Sequence, residues 1–363
     1  MANNAKTVFV GMSGGVDSSV SAALLKDQGY NVVGVYMKNW SKDLPGMKCP
    51  WADDLADAKR IAVKLNIDFK IFDFEKDYKQ KVVDYMLEEF KAGRTPNPDI
   101  MCNQEIKFKL FYDVACEQGA DFIATGHYAK SDGKNLLRAR DENKDQTYFL
   151  YRISEDAIAH TIFPLGDMLK PDVKKLAEKY GFHNAYKKES MGVCFVGEVG
   201  IKDFLKEYVK EKRGVILEAE TGNLVGFHEG AVFYTIGQRH GLNVGGGLPY
   251  YVTGKDIEKN IVYVSKNLNN KELWTKELEL TDAVLRGEPS RKVMVRLRHR
   301  APLIPAEITI SKNDNSISGI KNSTGVSVKL IFEQEIKAPA AGQSAVIYDG
   351  KNAEICLGGG IIK

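Results

Sequence analysis

Six residues near the start of the chain, Ser13-Gly14-Gly15-Val16-Asp17-Ser18, have the types and spacing of an anion site. A short apolar, β-branched run, Thr7 to Met12, leads into them and reads as a buried strand. A helical pattern leads out, with Val16, Val20, Ala23 and Leu24 on one face and Gly29 as its stop. Two glycines let the backbone turn sharply and approach a ligand closely. The free N–H groups of the first helical turn point into such a loop, and the helix dipole favours negative charge there. Ser13, Ser18 and Ser19 add hydroxyl donors. No lysine follows the glycines, so the G-x-x-x-x-G-K-[ST] phosphate loop is excluded.

Thiols are the second source of chemistry. The five cysteines, Cys49, Cys102, Cys116, Cys194 and Cys356, are odd in number and far apart, and no C-x-x-C occurs. A disulfide scaffold and a four-cysteine zinc site are thereby disfavoured, and no metal motif is found. Cys102 follows a run with two prolines, Gly93-Arg94-Thr95-Pro96-Asn97-Pro98-Asp99. The prolines stiffen the backbone and suit it to presenting Asn97, Asp99 and Cys102. Lys107 and Lys109 follow on an expected helix over 105–118, and positive charge there suits a thiolate, though Cys102 reads equally as an incidental thiol. Cys194 lies in a glycine-flanked apolar run, Gly192-Val193-Cys194-Phe195-Val196-Gly197, 92 residues after Cys102. Only the fold can bring the two together.

The elements that must position these groups alternate between strand and helix up to about residue 205. Strands are expected over 31–37, 68–74 and 121–125, and helices over 55–65, 76–91 and 170–180. That alternation implies a parallel sheet with ligands at the carboxyl ends of its strands. The 11–18 loop, the loop after Met37 and Gly126-His127-Tyr128 all fall at such ends. Met37 reads equally as a wall for a base and as a core methionine. From Gly214 onward short strand-like runs appear between glycine-rich turns, including Ala231 to Thr235. A boundary falls around 273–280, and five further strands suggest a small barrel. The expected domains are 1–205, 206–275 and 276–363.

At 363 residues with 44% hydrophobic and 27% charged residues, the chain has the composition of a soluble globular protein. It shows no apolar run of membrane length and no signal-peptide core, so a cytoplasmic location is expected. Net charge is only +3, so a nucleic-acid surface must be a local patch. Residues 281–300 hold six Lys/Arg against two acids, and alternation sets Arg296, Arg298 and Arg300 opposite Val293, Val295 and Leu297. Such a row suits a phosphate backbone; a solvated face is the commoner use.

The loop at residues 11–18 resembles the S-G-G-x-D-S pyrophosphate loop of the ATP pyrophosphatases, which split ATP between the α and β phosphates. Five further stretches widen the resemblance to the whole chain. They are the 93–103 run, Thr125-Gly126-His127-Tyr128, Asn143-Lys144-Asp145-Gln146, Gly192-Val193-Cys194-Phe195 and Tyr234-Thr235-Ile236-Gly237-Gln238-Arg239. Together they resemble the tRNA-specific 2-thiouridylases. The one departure is Met191, where that family usually has threonine.

The resemblance implies an α/β fold: a parallel-sheet adenine-nucleotide α-hydrolase-like domain, a small central domain and a C-terminal β-barrel. It implies ATP, with Mg²⁺, on Gly11, Met12, Ser13, Gly14, Gly15, Val16, Asp17 and Ser18, with Met37 and Gly126 near the adenosine. Asn97, Pro98 and Asp99 would meet the target base. His127, Lys144, Asp145, Gln146, Arg298, His299 and Gln343 would touch tRNA. Cys194 would carry a persulfide and Cys102 would be its partner, closing a disulfide after sulfur transfer. The implied partners are tRNA, a persulfide donor protein (a cysteine desulfurase or a sulfur relay protein) and a reductant. The implied reaction replaces the 2-oxygen of the wobble uridine with sulfur in the tRNAs for lysine, glutamate and glutamine. An amidating synthetase of the same superfamily and a silent RNA-binding protein are the competing readings.

Overall fold

The computed structural model describes residues 5–43, 49–188, 200–242, 244–245, 248–312 and 326–363. Its first layer is a parallel sheet in the order β3-β2-β1-β4-β7. These strands are β1 (Thr7–Gly11), β2 (Asn31–Lys38), β3 (Asp68–Asp73), β4 (Phe122–Ala124) and β7 (Thr161–Ile162). Val8, Phe9 and Val10 of the central strand are buried on both faces, as a continuous apolar run in a parallel sheet requires. The order reverses at β1, so the carboxyl ends of β1 and β4 open side by side where the sheet's winding switches.

Helix α1 (Val16–Asp27) follows β1 and is buried almost all round, Ser18, Ser19 and Ser21 included. The one-face expectation fails there because α1 also packs on the helix Lys170–Lys179. Helix α2 (Trp51–Leu65) keeps the expected stripe of Ala58, Ile61, Ala62 and Leu65. Two further helical runs contain π-helical turns. One spans Glu75–Tyr78, Lys79–Asp84 and Tyr85–Lys91, the other Pro98–Cys102, Asn103–Leu110 and Phe111–Glu117. The second begins seven residues before the expected start. Asn97 accepts from the Asp99 and Ile100 amides, and Pro98 sits at the first helical position. The second proline therefore starts a helix instead of stiffening a loop.

The central sheet has the order β10-β11-β8-β9, from β8 (Gly214–Glu218), β9 (Leu224–His228), β10 (Tyr251–Asp256) and β11 (Ile261–Ser265). The strand expected over 231–235 is instead a 3₁₀ turn, Ala231–Phe233, with all three side chains buried. A short apolar run has no period to separate the two outcomes. Asn260 Oδ1, accepting from the Ala231 amide, takes the place of a ladder partner.

The last layer is a closed barrel of six strands. They are β12 (Trp274–Leu285), β13 (Lys292–Arg296), β14 (Ile304–Lys312), β15 (Val326–Lys337), β16 (Ser344–Asp349) and β17 (Ile355–Ile362), closed by β12 pairing with β17. The expected boundary at 273–280 lies largely inside the 12-residue strand β12. A hairpin from the first layer, β5 (Lys130–Ser131) and β6 (Leu136–Leu137), pairs with β17 and ties that layer to the barrel. Among the described residues no helix is long and apolar enough to cross a membrane.

Candidate active site at the junction of three layers

The β1–α1 loop is shaped by what it cannot carry. Gly14 has φ +75°, and a Cβ on it would lie 2.4 Å from the Asp54 carbonyl oxygen. Gly126, at the end of β4, would place a Cβ 2.7 Å from the Ser18 amide nitrogen. Bare backbone therefore lets the loop pack on the first turn of α2 at Gly14, and lets the end of β4 close on the start of α1 at Gly126. Helix α1 begins after Gly15 with no side-chain cap, leaving its first N–H groups for an anion. Ser13 is exposed beside them, and its own amide donates to Ser18 Oγ at 3.2 Å. Ser19, expected as a third donor, is turned inward. Its hydroxyl donates to Gly15 O at 2.8 Å and accepts from Asn184 Nδ2 at 3.0 Å. Gly11, Met12 and Val16 are buried, which leaves only backbone to face the loop. Met37 is partly buried, with its Cε against Gly11, so it closes the core and reaches the mouth of the loop at once.

Asp17 is the acid of this loop, and two donors converge on it. Lys170 Nζ donates to Oδ1 at 2.6 Å and Oδ2 at 2.8 Å, and Tyr128 Oη donates to Oδ1 at 3.0 Å. Sequence reasoning missed Lys170, Tyr128 and Asn184, which also donates to Gly14 O at 2.9 Å. Lys170 left one readable signal. It stands at the first position of its helix, where the dipole disfavours a cation, so a nearby anion had to compensate. Asn184 left none.

The second cluster lies where all three layers meet. The Thr95 amide donates to Ala341 O of the barrel at 2.7 Å, and Thr95 and Thr235 hydroxyls are 3.3 Å apart. Asn97 caps the helix with its side chain, Pro98 is buried and Asp99 is half-buried. Burial pushes the Asp99 carboxyl up, and the Lys107 ammonium draws it partly back. Cys102 lies three residues on, on the same helix face as Asp99, and is only 2% exposed. His127 is buried, 2.8 Å from Thr125 Oγ1 through Nδ1 and 5.6 Å from the Phe108 ring. Burial holds its pKa well below the ordinary 6.5, with Lys107 acting in the same direction, so the ring is neutral. Cys194 lies outside the described residues.

The expected RNA contacts divide. Arg298 is exposed in the turn after β13. Tyr148 Oη donates to both Leu297 O and Ser344 O, at 3.2 and 3.1 Å, which sets this turn beside Gln343. His299 lies on the Phe149 ring at 4.7 Å, and burial, with Arg300 beside it, lowers its pKa to about 4. Lys144 is half-buried. Asp145, at 1% exposure, is an internal hub instead of a surface contact. Its carboxylate accepts from Arg296 at 2.8 Å, Arg138 at 3.4 Å and the Thr147 hydroxyl at 2.9 Å. Gln146 holds both backbone groups of Tyr128, through Oε1 and its own amide, each at 2.9 Å. The arginine row is corrected as well. β13 ends at Arg296, which is buried, and Arg300 Nε donates to Asn143 O at 2.9 Å. Arg286 is also buried, donating to Tyr151 O, Ile153 O and Cys356 O. Two of the six basic residues thus build the barrel's seam with the first layer.

The thiols of the remaining cysteines are shifted upward. Burial raises the pKa of Cys49, and partial desolvation with nearby Asp156 and Asp113 raises that of the exposed Cys116. Burial raises that of Cys356 to about 11.

Three family models match the chain in order. They are described as the tRNA methyl transferase HUP domain over residues 6–198, the tRNA methyl transferase PRC-barrel domain over 202–266 and the aminomethyltransferase β-barrel domain over 270–362. Among curated relatives, the tRNA-specific 2-thiouridylase MnmA of Idiomarina loihiensis is 45% identical, covering 100% of this chain and 97% of its own length. Its namesake from Pediococcus pentosaceus is 43% identical, covering 100% and 96%. That from Bacillus subtilis is 42% identical, covering 98% and 94%. The match runs through every layer described above, cradle, cysteine helix and barrel alike, and the chain belongs to the tRNA-specific 2-thiouridylase family.

Proposed function

We propose that this chain uses ATP to replace the C2 oxygen of the wobble uridine in tRNA with sulfur. The observation that carries the reading is the uncapped, glycine-turned cradle of the β1–α1 loop, with Asp17 gripped by Lys170 and Tyr128. A pyrophosphate fits it by charge and by shape. Asp17 supplies one carboxylate, which suits Mg²⁺ arriving with ATP, an ion that keeps phosphate and water ligands. The ion would neutralise charge on the departing pyrophosphate.

The uridine oxygen is a poor leaving group. Its attack on the α phosphate forms a C2–O–AMP ester and releases pyrophosphate into the cradle. A persulfide on Cys194 then attacks C2 through its terminal sulfur, and AMP leaves with the oxygen. Cys102 attacks the Sγ of Cys194, which frees the thiolated base and leaves a Cys102–Cys194 disulfide for an external reductant. Asp99 and Cys102 share one helix face, so a base held by residues 97–99 lies near the thiol. The burial of Cys102 requires that docking of the RNA open this face, and the target base must be turned out of its stack. Arg298, Lys144 and Gln343 are the groups offered to the RNA.

The test is incubation with ATP, a persulfide donor protein and unmodified tRNA, followed by nucleoside mass analysis. Formation of 2-thiouridine that depends on ATP is the expected result. An amidated base, or ATP turnover with no sulfur incorporated, overturns the reading.

A further inference from the structure

We infer that the 141–146 loop is a positioning device that makes the geometry of Asp17 depend on how the barrel and its RNA hold that loop. Tyr128 and Asp141 are its two positioning residues. The inference rests on the proposed ATP and tRNA sites.

The two donors on Asp17 are each anchored in this one turn. The first arm runs through Tyr128, whose hydroxyl meets Asp17 while Gln146 holds its backbone N–H and C=O. The second runs through Lys170. Its ammonium meets both Asp17 oxygens, and its backbone N–H donates to Asp141 Oδ2 at 2.9 Å. That amide belongs to an uncapped helix N-terminus followed by Pro171, which has no N–H. Asp141 thus caps a helix 29 residues away and balances a lysine placed at the positive end of a dipole. The arms also meet each other, since Lys170 Nζ lies 5.9 Å from the Tyr128 ring centroid.

The two anchors are the ends of a single turn. Asp141 O accepts from the Lys144 and Asp145 amides at 3.0 and 2.8 Å. From the other side the barrel grips the same turn, with Arg296 on the Asp145 carboxylate and Arg300 on the Asn143 carbonyl. Arg298 is exposed between those two arginines. A polyanion seated on Arg298 and Lys144 therefore pulls on groups bonded directly to the turn. Displacement of the turn moves Tyr128 and Lys170 together, and both bear on one carboxylate. Coupling of this kind must be reciprocal between the two ligands.

The measurement is the affinity of the intact protein for a non-hydrolysable ATP analogue, with and without saturating unmodified tRNA, and the converse. The wild type should bind each ligand about 5-fold or more tighter when the other is present. Tyr128→Phe keeps the ring and removes only the hydroxyl. With the Lys170 arm intact, it should lower that ratio by about half or more while leaving the affinity for tRNA alone unchanged. Asp141→Ala tests the second arm and should reduce the same ratio. If Asp141→Ala fails to fold, Tyr128→Phe decides the question alone. A purely structural role would lower melting temperature or both affinities without changing their ratio, and that result overturns the inference. Equal analogue affinity with and without tRNA in a wild type that forms 2-thiouridine also overturns it and leaves the proposed function standing. A wild type that binds neither ligand overturns the proposed function itself.

Discussion

Replacing Gly126 by alanine puts the closeness of the cradle to a direct test. The added Cβ would lie 2.7 Å from the Ser18 amide nitrogen, 2.9 Å from the Asp17 carbonyl carbon and 3.1 Å from Asp17 Cβ. Ordinary contact begins at 3.4 Å, so the shortest approach falls short by about 0.7 Å. The nearest opposing atoms are backbone and cannot rotate away. Gly126 is not among the positive-φ glycines, so alanine introduces no torsional strain and the whole effect is displacement of the loop. A misplacement of about 1 Å at a reacting centre lowers rates on the order of 100-fold. We therefore expect kcat/KM for ATP to fall about 10- to 100-fold, or ~1.4–2.7 kcal/mol of transition-state stabilisation. Pyrophosphate exchange into ATP, measured with unmodified tRNA present, reads this step without the sulfur chemistry. Gly254→Ala is the control, since its Cβ would meet Tyr263 at an ordinary 3.6 Å, and it should exchange at the wild-type rate. A Gly126→Ala protein with wild-type melting temperature and wild-type exchange kinetics would show that the end of β4 does not shape the cradle.

Three other outcomes follow from the site. Arg298→Ala should weaken tRNA binding and reduce its salt slope by about one. Arg296→Met should leave the slope alone and lower melting temperature, because it takes the nearer of two arginines from the buried Asp145 carboxylate; equal salt slopes for the two variants would contradict this division. His299, with its pKa lowered to about 4, should add no charge toward RNA, so affinity should stay flat from pH 8 to 6. The charged groups facing it are Arg300, Asp145, Arg296 and Lys144. The stabilising effect of neutral His299 is present above the ordinary 6.5 and is lost as pH falls through about 4, so acid melts should show added instability in that window; a His299→Gln protein with the same acid profile would refute it. Cys194→Ser should accept no sulfur from a persulfide donor. Cys102→Ser should accept it and stall before turnover, as peptide mass mapping would reveal; persulfide found on Cys49, Cys116 or Cys356 would sink the scheme.

Local order carried a good deal of this. The anion loop, the parallel sheet and the barrel were legible because each depends on short-range patterns: glycines between strand and helix, apolar runs, alternation. The start of the helix at Pro98 was also written locally, in Asn97 and the proline, but the pair of prolines was read as a stiff loop. The side chains around the loop were not legible. Lys170 reaches Asp17 across 153 positions, and Asn184 reaches Gly14 across 170; no periodicity spans such gaps. The arginine row illustrates the same limit from the other direction. Alternation placed Arg296 and Arg298 on one face, but β13 ends between them, and the packing of the 141–146 loop against the barrel turned one inward to Asp145 and left the other to solvent.

By itself the sequence determined which chemistry the chain can hold: a helix start behind two glycines, a cysteine after a pair of prolines and a run of arginines in the barrel. Those follow from torsional preference and hydrophobic patterning, which act over a few residues. Tertiary structure alone decided which charges became internal. Burial removes water from a carboxylate such as Asp145 and makes a buried arginine its necessary partner. Tertiary structure also decided that the turn carrying that carboxylate stands between the barrel and Asp17, the one acid of the β1–α1 loop.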